Sequence, residues 1–147
     1  MVCVAICWQD VLYRAVYWVW YPVLFVVSVL VKWETMSVEN WMYNSFFILL
    51  LMGTLTLYLT IRKGQLINIT NGFFSWGDIL MLVAVIPLFS PSAYMLYFTF
   101  GTLFVLLLHI LAHIYRPQTT VPYAGYMSLS TIGFLLIEDK FSHLLFI

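Results

Sequence analysis

The chain has 147 residues, of which 64% are hydrophobic and only 8% charged, with six basic against six acidic side chains. A soluble domain of this size cannot hide that much apolar surface, and a mean hydropathy of +1.00 points to lipid as the solvent. The charge balance leaves no basic patch suited to nucleic acid, and no phosphate-binding glycine loop or Ser or Cys nucleophile motif is present.

In chain order, the apolar pattern gives a short piece from Met1 to about Tyr13 and then a segment over Ala15 to Trp33, closed by the polar loop ETMSVEN. A third runs from Trp41 to Ile61 and stops at Arg62 and Lys63. After the loop RKGQLINITNGFFSW comes a short segment from Gly77 to about Phe89 that ends in SPS, where Pro91 and the serines mark a turn. Ala93 to Tyr115 is the longest clean span, and RPQTTVPYAG separates it from a last segment, Tyr126 to Ile137. In lipid every backbone polar group must be satisfied internally, and these runs are continuous where barrel strands would alternate. The expected fold is all-α, a polytopic membrane helical bundle with about six transmembrane segments, the first short, in a single domain covering 1–147.

The opening residues MVCVAICWQ lack the basic start and small-residue cleavage site of a removable signal. Cys3 and Cys7 lack the paired spacing of a zinc site and read as small apolar side chains. The tryptophans fall mostly near segment ends, where interfacial anchoring explains them. Asn68 heads an NIT acceptor sequence, but the topology places it in the cytoplasm. Charge sets that topology: with Arg14 inside, Arg62, Lys63 and Arg116 also fall inside, while Lys32 and Lys140 fall outside.

Two aspartates remain at the inner face, Asp10 and Asp78. A carboxylate at the edge of an apolar segment costs free energy and is a functional hypothesis by default. Two carboxylates brought together share one proton and can activate a water between them, which is aspartic-protease chemistry. The alternative for Asp78 is a helix cap, since Asp is favoured at an N-terminus and suits the dipole there.

The surroundings of both aspartates resemble the prepilin peptidase family, the membrane-embedded aspartic peptidases also called type IV leader peptidases. DVLYRAVYW resembles the family's first motif, with Asp10 as the acid and Arg14 four positions on. SWGD, from Ser75 through Gly77 to Asp78, resembles the GxGD motif that opens a helix, with Ser75 at the place of the first glycine. VPYAGYMSL resembles the segment of Pro, aromatic and small residues that opens the final helix. Where the family has Ile-Pro-Asn after the Arg motif, this chain has Val16, Tyr17 and Trp18.

The resemblance implies an aspartic endopeptidase with Asp10 and Asp78 as catalytic acids and Arg14, Ser75 and Gly77 as supporting residues, with no cofactor or metal. It implies prepilin-like precursor proteins as partners, cut at the junction of a short basic leader and a hydrophobic helix. The place of action would be the cytoplasmic (inner) membrane of a prokaryote, with membrane lipids around the protein and the active site facing the cytoplasm. Larger members carry an extra domain with paired cysteines that methylates the new N-terminus; this chain lacks such pairs, so cleavage without methylation is expected.

LTIRKGQLIN, at Leu59 to Asn68, has the rhythm of the first-aspartate motif with Thr60 in place of the acid, and Thr60 cannot serve as a carboxylate. Arg62 and Lys63 there read as topology anchors. Two other functional classes stay open. One is an inactive relative that binds or scaffolds pilin-like helices. The other is a haem or metal membrane protein using His109 and His113, which stand four apart and so share a helix face.

Overall fold

The structure is a computed structural model that describes residues 1–34, 37–64, 75–115 and 121–145, without the side chains of 115 and 138–145. Among the described residues there are six α-helices and no strand: α1 (Val2–Tyr13), α2 (Trp20–Val31), α3 (Val38–Lys63), α4 (Trp76–Ala84), α5 (Pro91–Tyr115) and α6 (Tyr123–Leu145). A single 3-10 turn, Ile86–Leu88, follows α4. The all-helical class is as expected. Among the described residues two helices, α3 and α5, are long and apolar enough to cross a membrane; the described apolar parts of α1, α2, α4 with its 3-10 turn, and α6 span 17 residues or fewer.

Local chemistry accounts for the boundaries, including those that differ from expectation. The second segment begins at Trp20 rather than Ala15 because Pro22 fits only the first turn of a helix. Deeper inside, its ring would strike the carbonyl four residues back. The chain between the helices turns at Arg14, whose φ of 55° is the only positive value on a non-glycine residue among those described. The Arg14 N–H donates to the Asp10 carbonyl and closes α1. Pro87 stops α4 early, so the fourth segment is a nine-residue helix and a 3-10 turn instead of one continuous element. Pro91 occupies the first position of α5, where its missing N–H costs nothing.

α3 is delimited at both ends. Ser37 accepts the Asn40 N–H at its start, Glu39 lies in the first turn, and Arg62 and Lys63 lie in the last, each sign suited to the helix dipole. Gly64 closes it at φ 66°, donating its N–H to the Thr60 carbonyl. The segment with the rhythm of the aspartate motif thus ends its helix as α1 does, the residue four past the acid position taking the left-handed conformation. In α3 that residue is glycine, and in α1 it is arginine, for which the conformation costs about 1–2 kcal/mol.

The chain divides into two compact units, one formed by Met1–Trp20 with Ser92–Ile147 and the other by Tyr21–Pro91. In the first, α1 packs against α6, and Ile6, Tyr94, Tyr97 and Met127 are fully buried. The Tyr97 hydroxyl lies 3.0 Å from the Thr131 hydroxyl and donates to the Met127 carbonyl at 3.4 Å, which satisfies a polar tip in an apolar core. Gly101 lets α5 approach α6 closely, since a Cβ there would lie 2.9 Å from the Met127 sulfur. In the second unit the buried residues run almost unbroken from Met81 to Phe89. α3 packs on this segment, and Phe25 of α2 meets Trp41 of α3 edge to face at 6.0 Å.

Candidate functional site

Asp10 belongs to the first unit and Asp78 to the second, and each has its own surroundings. Asp10 lies in the last turn of α1 with only 9% of its surface exposed. Its Oδ2 accepts the backbone N–H of Gly125 at 2.6 Å, across 115 residues of sequence. Gly125 is the third residue of α6, so its N–H is one of the donors that a helix start leaves without an intrahelical partner. A carboxylate there is favoured both by the hydrogen bond and by the positive end of the helix dipole. The absence of a side chain at 125 is what permits the approach: a Cβ would lie 2.9 Å from Asp10 Cβ and 3.1 Å from its Oδ2.

Ser128, one turn further along α6, closes the same corner. Its hydroxyl lies 2.7 Å from the Gly125 carbonyl and 3.0 Å from the Cys3 carbonyl of α1. DVLYR and VPYAGYMSL, two of the three stretches that carry the family resemblance, therefore meet in one place. Gln9, Tyr13, Ala15, Val16 and Tyr17 line an open concavity of about 480 Å³ beside the Arg14 turn. The Gln9 side-chain oxygen accepts the Tyr17 N–H at 3.3 Å and so braces that turn, in the place where Val16, Tyr17 and Trp18 depart from the family's pattern.

Asp78 is the third residue of α4 and is half-buried. Its Oδ2 accepts the Ser75 N–H at 2.9 Å, and the Ser75 hydroxyl accepts the Asp78 N–H at 3.2 Å. This reciprocal pair is a capping box with Asp in the place of the usual Glu, and it satisfies two orphan donors at once. The capping alternative for Asp78 is thus realised, and it explains why serine stands at 75. Gly77 has a separate cause: a Cβ there would lie 2.7 Å from the hydroxyl of Tyr21, a buried residue of α2.

Two supports of this second site are not singled out by motif. Tyr21 is one. The other is Asn44 of α3, 1% exposed, whose side-chain amide donates to the carbonyls of Phe89 at 2.9 Å and Ile86 at 3.3 Å. Those carbonyls end the segment that α4 begins, where the chain turns toward α5. A lone asparagine inside the apolar run YNSFFILL was the available signal.

Thr60 of α3 is half-buried, and its hydroxyl oxygen has no hydrogen-bond partner among the described residues. His109 and His113 lie on one face of α5 with ring centroids 6.0 Å apart. Among the described residues no group of three or more His, Cys, Asp or Glu side chains is placed to hold a metal ion. Asn68 and Arg116 lie outside the described residues, as do the side chains of Lys140 and His143. No protein-family model, no curated protein and no solved structure matches the chain.

Proposed function

We propose that the chain is a multi-pass membrane protein and an aspartic endopeptidase of the prepilin peptidase type. Lipid is the favoured solvent because the apolar windows of α3 and α5 are each only 17% buried, where the core helix of a soluble domain would be mostly covered. Phe46, Leu49 and Leu57 of α3, and Phe100, Leu103 and Leu106 of α5, are all more than half exposed. Water does not tolerate such continuous apolar faces, and a bilayer does.

The observation that carries the enzymatic reading is the contact of Asp10 with Gly125. It sets an almost fully covered carboxylate in an apolar helix and joins the first and third stretches of the family resemblance. In the proposed mechanism Asp10 and Asp78 are the two catalytic acids, one ionised and the other protonated. The ionised carboxylate draws a proton from the water as it attacks the scissile carbonyl, and the protonated one donates to the carbonyl oxygen. The substrates are precursors with a short basic leader before a hydrophobic helix, cut at the cytoplasmic face of a prokaryotic inner membrane.

The test is cleavage of a prepilin-like precursor in membranes by the wild-type chain, Asp10→Asn and Asp78→Asn. Cleavage by wild type and its loss in both variants at equal expression supports the reading. An inert wild type, or a variant that still cuts, overturns it.

One observation favours a second reading. Both aspartates accept backbone N–H groups at helix starts, so each has a structural task without catalysis. A non-catalytic bundle that binds pilin-like helices would keep both acids for that reason, and Asp78→Asn would then leave binding intact.

A further inference from the structure

His109 and His113 are the one pair of metal-ligating side chains on the described part of α5, and neither takes part in the proposed cleavage. They stand in its last two turns, four residues apart, so their side chains rise on one face. Their ring centroids are 6.0 Å apart. An ion held by two imidazole nitrogens at about 2.0–2.1 Å, with the ring radius added on each side, separates the centroids by roughly 5–6 Å. The observed spacing lies at the upper end of that range.

A second observation points the same way. The Nδ1 of His109 is buried and has no hydrogen-bond partner among the described residues. A buried ring nitrogen left unsatisfied is costly, and a metal ion is one partner that would satisfy it. Electrostatics agree, because the carbonyl end of a helix carries partial negative charge and favours a cation over its last turns.

We propose that His109 and His113 form a two-ligand site for a divalent transition-metal ion of the nickel, copper and zinc group, with water completing the coordination shell. Imidazole suits these ions and not magnesium or calcium, and copper(II) is expected to bind tightest. The site is independent of the cleavage reaction and stands whether or not the chain is a peptidase.

The experiment uses the full chain in detergent micelles, with any purification tag removed, titrated with copper(II) and nickel(II) alone. Calorimetry is expected to show one ion per chain, and the copper electron-spin-resonance spectrum to show two imidazole nitrogens. His109→Gln and His113→Gln should each weaken binding about tenfold or more, which corresponds to roughly 1.4 kcal/mol. His113 is exposed, so His113→Gln is expected to fold and to remain informative even where His109→Gln does not. Unchanged affinity in His113→Gln overturns the site, as does binding that is lost in a Cys3→Ser, Cys7→Ser chain. Absence of any copper-nitrogen signal overturns it as well.

Discussion

The carboxylate of Asp10 and the backbone N–H of Gly125 meet at 2.6 Å, so the last turn of α1 serves as the cap for the first turn of α6. This contact gives Asp10 two separable roles, one in stability and one in the proposed chemistry. Asp10→Asn keeps an oxygen able to accept from Gly125 but removes the charge, and the loss should be about 1 kcal/mol, the difference between a charge-assisted and a neutral hydrogen bond. Asp10→Ala leaves a covered N–H without its partner and should cost about 1–3 kcal/mol. Unfolding midpoints in micelles read the first role, and precursor cleavage reads the second. A purely structural Asp10 leaves Asp10→Asn mostly active, whereas the two-carboxylate mechanism leaves both variants inert.

The same contact predicts that neighbouring glycines of α6 respond in opposite directions to alanine. At Gly125 the new methyl would lie 2.9 Å from Asp10 Cβ, and forcing α1 away should cost about 1–3 kcal/mol. At Gly133 no atom of the described residues lies within 4 Å of the added one, so Gly133→Ala should stabilise by up to about 1 kcal/mol through helix propensity alone. Denaturant titration of the two variants in parallel checks the sign. Equal effects would mean that the approach of Asp10 to α6 is not what requires glycine at 125.

What the sequence revealed and what it hid follow a physical division. The order of helices was legible because hydrophobic runs and their polar breaks are local signals, and so was the turn at Pro91. The late start of α2 and early end of α4 were missed because the apolar runs continue through Pro22 and Pro87 and carry no change in polarity. Asp10 and Asp78 stood out as charges against apolar sequence. Their partners did not, since a backbone N–H at Gly125 has no side-chain signature and the demand of the Tyr21 hydroxyl on Gly77 exists only after α2 and α4 have packed. The capping alternative for Asp78 was legible too, but not the part of Ser75, which completes a capping box with it.

That box can be separated from catalysis at Ser75. Ser75→Ala removes the hydroxyl acceptor of the Asp78 N–H and should destabilise α4 by about 1 kcal/mol, while Ser75→Gly should cost only a few tenths. Ser75→Gly also restores the glycine of the GxGD pattern, so under the peptidase reading cleavage persists or rises despite the weaker cap. Cleavage that tracks the unfolding midpoint across both variants would show that position 75 acts through the helix cap alone.

Asn44 supplies the last expectation, because it holds the far end of the segment that Asp78 begins. Its amide donates to the carbonyls of Ile86 and Phe89, two acceptors at the end of that segment. Asn44→Leu keeps the same branched heavy-atom skeleton and suits an apolar interior, so on hydrophobicity alone it should be neutral or favourable. On hydrogen bonding it strands two carbonyls away from water and should destabilise by about 1–3 kcal/mol. Asn44→Asp is expected to be worse still, since a carboxylate accepts where a donor is needed and meets two carbonyl oxygens. The order wild type, Leu, Asp in unfolding midpoint would establish that the α4 segment is fixed by its C-terminal carbonyls. A leucine variant as stable as wild type would place its anchoring in the apolar packing of Met81 to Phe89 instead.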